Sequence, residues 1–291
     1  MPASFRILAL LALSGLLLPA AGCGSAFFYP ERKLVWNPAQ DNIPYRDIRF
    51  ASEDRVPLHG WLMCPRAEAP RGTILFLHGN AENVSTHSRA VLWLVEAGYE
   101  VFTFDYRGYG LSGGEPDIPG VHRDAKAAVG QLLSLRGASA DRYVVFGQSI
   151  GGSIAVYTVA TLPPERKPRA LIVDSAFAGY RRIFREKMKS FLITWPFAWP
   201  ASVFLEDGYS PARWIDKAGP GPVIVIHGTA DGIVPYEHGK ELYERARDPK
   251  GIWTIEGGGH ISGLRNAEVR AQFLAFLEAW IPAGSGGACA P

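Results

Sequence analysis

The run Gly147-Gln148-Ser149-Ile150-Gly151 has the residue types and the spacing of a serine prepared for acyl transfer. A β-branched and aromatic stretch, Tyr143-Val144-Val145-Phe146, leads into it, and the apolar Ile154, Ala155, Val156 and Val159 follow at positions that suit a helix. A strand that turns sharply into a helix lifts the side chain at the turn above the sheet edge. Glycine two residues to either side lets backbone come close. Ser149 is therefore the candidate nucleophile, and the N–H groups that open the following helix point to where negative charge would develop.

A hydroxyl is a weak nucleophile until a base takes its proton and a carboxylate orients that base. Both residue types follow the serine. An apolar strand at 223–227 ends in His227-Gly228-Thr229-Ala230-Asp231, which puts the Asp231 carboxylate just past a strand end. A short strand at 252–255 runs into Gly257-Gly258-Gly259-His260, whose glycines let the loop fold back over the sheet edge. Asp231 is the expected acid and His260 the expected base. Asp174, after the strand at 170–174, is the alternative acid. Asp105 is expected in a turn with Arg107, and Ser112 and Ser175, without flanking glycines, as turn or capping residues. His78 and His227 are expected to bond backbone, and His59, His87, His122 and His238 to lie at the surface.

Six segments act together: His78-Gly79-Asn80-Ala81-Glu82-Asn83, the run from Phe104-Asp105-Tyr106-Arg107 to Gly113, the Ser149 turn, Asp174-Ser175-Ala176-Phe177, His227 to Asp231, and Gly257 to His260. Over roughly residues 45–280 they make the chain resemble the α/β-hydrolases of the group that holds the Bem46-like proteins and the ABHD17-type and ABHD13-type hydrolases, near the serine aminopeptidase branch. The resemblance implies a Ser149–His260–Asp231 triad, with the N–H groups of Asn80 and Ile150 as oxyanion donors. It also implies no metal, no cofactor and a small-molecule or acyl substrate. Hydrolysis of carboxylic esters or thioesters is the expectation. Peptidase or acyltransferase chemistry on the same residues is one alternative, and a lipid-anchored scaffold without turnover is another.

Such chemistry needs a rigid frame. Strand patterns at 48–50, 58–63, 73–77, 101–105, 143–146, 170–174, 223–227 and 253–255 alternate, after an opening hairpin, with helical patterns at 84–97, 121–135, 149–160, 237–246 and 267–280. This predicts an α/β fold of the α/β-hydrolase type, an eight-stranded, mostly parallel sheet flanked by helices. Residues 179–211, between strands 6 and 7, break the rhythm and predict a small cap. Its first half sets Ile183, Phe184 and Met188 among Arg181, Arg182, Arg185, Lys187 and Lys189, and its second half carries Trp195 and Trp199. The helix suits either packing on the body or an anionic surface.

The chain has 291 residues, 47% of them hydrophobic and 20% charged, with a net charge of +2. That fits one compact domain, expected to be monomeric, and supplies no basic excess for nucleic acid. The sequence has no internal repeat, zinc-ligand spacing or phosphate-binding glycine loop. At the start, Arg6 precedes an apolar run at 7–18, too short for an ordinary membrane span and suited to a signal peptide. Leu18-Pro19-Ala20-Ala21-Gly22-Cys23 resembles a bacterial lipobox. The expected organisation is a lipoprotein-type signal peptide at 1–22 with lipid on Cys23, a tether at 23–44, the catalytic domain at 45–281 and a flexible tail at 282–291. The protein would then be exported and membrane-anchored, facing the periplasm or cell exterior. Pairing of Cys64 with Cys289 is left open.

Overall fold

The computed structural model describes residues 27–67, 69–135, 139–189, 196, 198–282 and 289. The leader, Cys23, Trp195 and most of the expected tail lie outside the described residues. Eight strands form the main sheet: β1 (Tyr45–Ala51), β2 (Pro57–Met63), β3 (Thr73–Leu77), β4 (Glu100–Asp105), β5 (Tyr143–Gln148), β6 (Leu171–Asp174), β7 (Val223–Gly228) and β8 (Lys250–Ile255). Their spatial order is β8-β7-β6-β5-β3-β4-β2-β1. β2 pairs antiparallel with both β1 and β4, and the other neighbours are parallel.

The helices are α1 (Val84–His87), α2 (Leu92–Glu96), α3 (Ile118–Ser134), α4 (Ile150–Thr161), α5 (Tyr180–Lys189), α6 (Ala198–Ser202), α7 (Tyr236–Arg245) and α8 (Ala267–Trp280). The single helix expected at 84–97 is broken into α1, a 3-10 turn and α2. Ser88 sits at the break, with its Oγ donating to Val84 O at 2.6 Å and competing with the helical ladder.

Strands buried on both faces read as continuous apolar runs. All five residues of β3 are buried. Successive side chains point to opposite faces, so Leu75 and Leu77 join Phe104, Val145 and Val173 under α3 and α4. Ile74 and Phe76 join Val144, Phe146 and Ile226 with Phe273 and Leu277 of α8 on the other face. The chain leaves β3 for β4 on one side and comes back to β5 on the other. A reversal of this kind opens a crevice at the carboxyl ends of the strands, where open α/β sheets hold their sites.

Four expectations are corrected. The tether does not run to residue 44, because from Phe27 onward the segment is sewn to the body. Tyr29–Pro30 pairs with Ala81–Glu82 as a short parallel bridge, and Asn83 Nδ2 donates to Glu31 O at 2.9 Å and Lys33 O at 2.8 Å. Arg32 Nη2 reaches Gly114 O at 3.0 Å. The tail is tied down at Cys289, which forms a disulfide with Cys64 at the end of β2.

Third, Asp105 does not pair with Arg107. Its Oδ1 accepts Val84 N–H at 2.7 Å, while Arg107 forks between Asp54 and the buried Asp124. Last, three of the four histidines expected at the surface are buried, and the fourth is half-covered. His59, His122 and His238 are buried, on Asp47, Tyr180 and Glu186 respectively, and His87 stacks on His78 while bonding Ala81 O. Long-range packing decides such positions, and a local glycine signal does not report it.

Two buried histidines set an acid limit. Burial lowers the pKa of His78 and of His122 from 6.5 to about 3, with His87 and Lys126 nearby acting in the same direction. Between pH 6.5 and 3 the unfolded chain therefore binds protons that the native protein refuses, and stability falls as pH falls through that window. Each residue contributes about 1.4 kcal/mol per pH unit inside it. The midpoint of thermal unfolding should drop steadily from pH 6.5 to 5, and His122→Phe should flatten the slope by about one proton's worth. A wild-type midpoint that does not move, or a slope that this substitution leaves alone, would contradict the reading.

Candidate active site

β5 ends at the turn that carries Ser149, and the backbone there shows why the flanking residues are glycine. A Cβ on Gly151 would lie 2.2 Å from Leu77 O, and one on Gly147 would lie 2.5 Å from Gly151 O. Ser149 itself is held at φ 54° and ψ −123°, a conformation that costs a non-glycine residue on the order of 1–3 kcal/mol. Packing on both sides enforces it. Ser149 N–H donates to Asp174 O at 2.8 Å from the strand beside it, and Ser153 N–H caps Ser149 O at 3.2 Å.

Asp231 stands just past β7. Its Oδ1 accepts the N–H groups of Ile233 at 2.8 Å and Val234 at 2.9 Å, and its Oδ2 lies 2.8 Å from His260 Nδ1. Burial works to raise its pKa, but the bonds from His227, His260 and Val234 outweigh it and hold the carboxyl well below the usual carboxylate range. Asp231 is thus an anion with only lone pairs to offer, so Nδ1 of His260 must carry a proton. Nε2 is left as an acceptor, 3.0 Å from Ser149 Oγ.

The loop bearing His260 is stitched to the end of β7. Thr229 N–H meets Ile255 O at 3.0 Å, Ala230 N–H meets Gly258 O at 2.9 Å, and Gly257 N–H meets Thr229 Oγ1 at 2.8 Å. The structure therefore brings Ser149, His260 and Asp231 into one hydrogen-bonded line. Asp174 stays out of it, under the turn, where Gln148 Nε2 donates to its Oδ2 at 3.0 Å and burial pushes its carboxyl up.

The expected oxyanion donors follow the ends of β3 and β5. Asn80 follows β3 and Ile150 opens α4, and neither N–H is taken up by an acceptor among the described residues. Helix α4 starts here, so the field of its aligned peptides adds to both. The expected backbone roles of two histidines are also seen, His78 Nδ1 bonding Gly79 O and His227 Nε2 bonding Val234 O, each at 2.8 Å.

Three residues at the site carry more than their sequence signal suggested. Ser175, read as a turn residue, accepts Ile261 N–H on its Oγ at 3.0 Å and so pins the loop of His260. Tyr106 and Tyr109 hold the Asn80 loop from below, through His78 O at 3.2 Å and Asn80 O at 2.5 Å. The run Tyr106-Arg107-Gly108-Tyr109-Gly110, with an aromatic on each side of Gly108, was the available signal for the tyrosines; Ser175 had none.

Sequence comparison finds a chain with 33% identity over 258 residues, the uncharacterized protein YfhR of Escherichia coli K12, with 86% of each chain covered. The family model described as serine aminopeptidase, S33, matches residues 68–207. This chain belongs to the α/β-hydrolase family. Within that family it is also similar to human α/β-hydrolase domain-containing protein 17C, at 28% identity over 260 residues, 89% of this chain and 72% of that one. Among solved structures, the Pyrococcus furiosus esterase Pf2001 superposes with a TM-score of 0.72 at 24% identity, covering 88% of this chain and 99% of that chain. That likeness is one of fold. The α/β-hydrolase matched by the family model includes Asn80 and Ser149, whereas Asp231 and His260 lie beyond the matched residues.

Proposed function

We propose that the protein is a serine hydrolase that cleaves carboxylic ester or thioester bonds through an acyl-enzyme. The observation that carries this is the line from Asp231 Oδ2 through His260 to Ser149 Oγ, at 2.8 and 3.0 Å, on a turn with strained backbone. Ser149 Oγ forms a bond to the acyl carbon as its proton passes to His260 Nε2, and the carbonyl π pair moves onto oxygen. The N–H groups of Asn80 and Ile150 receive that oxyanion, each worth about 3 kcal/mol in comparable sites. Collapse re-forms the carbonyl and breaks the bond to the leaving group, which takes the proton from Nε2. Water then repeats the sequence and frees Ser149.

The same proposal has the chain exported and anchored through lipid on Cys23. A disulfide such as Cys64–Cys289 suits an oxidising compartment and supports export.

One labelling experiment tests both halves. A fluorophosphonate probe should mark the protein at Ser149 in the membrane fraction of expressing cells, and p-nitrophenyl esters should be hydrolysed with a chain-length preference. Cys23→Ser should move the labelled band out of that fraction. An unlabelled wild-type protein would sink the hydrolase, and a labelled band indifferent to Cys23 would sink the anchor.

A further inference from the structure

We infer that the N-terminal segment Phe27 to Val35 is a positioning element of the active site, acting through the carboxamide of Asn80. The inference rests on the oxyanion role proposed for Asn80 N–H. That residue has no strand or helix of its own to hold it, since β3 ends at Leu77. Its side chain is instead held as a peptide group would be in a sheet: Asn80 Nδ2 donates to Phe27 O at 2.8 Å, and Tyr29 N–H donates to Asn80 Oδ1 at 3.3 Å. An amide that both gives and takes a bond with one extended segment is fixed in rotation as well as in place. The phenol of Tyr109 closes the remaining side, 2.9 Å from Oδ1 and 2.5 Å from Asn80 O.

The segment is itself anchored well away from Asn80. Glu31 N–H bonds Glu82 O at 3.1 Å, Val35 N–H bonds Ser85 Oγ at 3.0 Å, and Gly110 N–H bonds Glu31 O at 2.9 Å. Phe27 packs edge-on against Phe177 at 5.9 Å and lies 5.6 Å from Tyr180, which opens α5. The segment thus bridges the oxyanion loop to the base of the cap. A donor displaced by about 1 Å can lose of the order of 10²-fold in rate, so small losses of this hold are read in turnover more than in substrate binding.

The test is a double-mutant cycle on the whole chain with a p-nitrophenyl ester. Tyr29→Pro removes the N–H given to Asn80, and the extended, edge-like segment tolerates proline. Asn80→Ala removes the carboxamide and keeps the backbone donor. Each should lower kcat by about 10- to 100-fold with KM within about twofold, and the double variant should be no slower than Asn80→Ala alone. If Tyr29→Pro does not fold, Phe27→Ala, which loosens the segment where it packs on Phe177 and Tyr180, takes its place in the cycle with the same expected outcome. Multiplying losses, or unchanged kcat in the singles, would overturn the inference while leaving the hydrolase intact. An inactive wild type would overturn the hydrolase reading and the inference with it.

Discussion

Ser149→Ala is expected to yield a folded protein whose kcat/KM on an activated ester is lower by ~10⁴ or more. The loss follows from the line of contacts, because Ser149 Oγ lies 3.0 Å from His260 Nε2 and is, among the described residues, the hydroxyl bonded to it. A factor of 10⁴ is about 5.4 kcal/mol of transition-state stabilisation, more than any single donor supplies. Some rate above the uncatalysed one should survive, since the Asn80 and Ile150 N–H groups remain. Alanine keeps a Cβ at the same positive φ, so the turn stays as strained as before and the unfolding midpoint should move little. Turnover near the wild-type rate in this variant would end the proposed mechanism.

Asp231→Asn should be comparably severe, by ~10⁴, and Asp174→Asn mild. An amide at position 231 can still accept the N–H groups of Ile233 and Val234, so the loop survives. What changes is the face toward His260. If the amide presents its NH₂ to Nδ1, the ring must carry its proton on Nε2, and Nε2 then cannot take one from Ser149. At Asp174, burial already pushes the carboxyl toward its neutral form, and a neutral amide of the same shape can still face Gln148. Kinetics of the two folded variants on one substrate decide the matter. The reverse ranking would give the acid's role to Asp174.

The parts of this architecture legible in the sequence were those in which local residue type and tertiary role agree. β3, β5 and β7 are unbroken apolar runs because both their faces are covered, and Ser149 is framed by glycines because its neighbours' Cβ atoms would strike backbone. The segment from Phe27 to Val35 could not be read this way. It has no periodicity, and its bonds run from its own backbone to the side chains of Asn80, Asn83 and Ser85, about fifty positions further on. His122 was misread for a related reason. It sits inside a stack with Tyr157, Tyr180 and Tyr209, drawn from three separate stretches of chain, and nothing next to it in the sequence announces them.

The Cys64–Cys289 bond, with its sequence separation of 225, has a topological result. It closes most of the polypeptide into a covalent ring, and Asn80, Ser149, Asp231 and His260 all ride on that ring. The segment that grips Asn80 lies outside it, on the linear arm. A single peptide bond cut anywhere in the ring opens a loop but leaves all four of these residues on one molecule. In the chain-entropy picture, closing a loop of this size raises the free energy of the unfolded ensemble by about 5 kcal/mol, less whatever order that ensemble keeps.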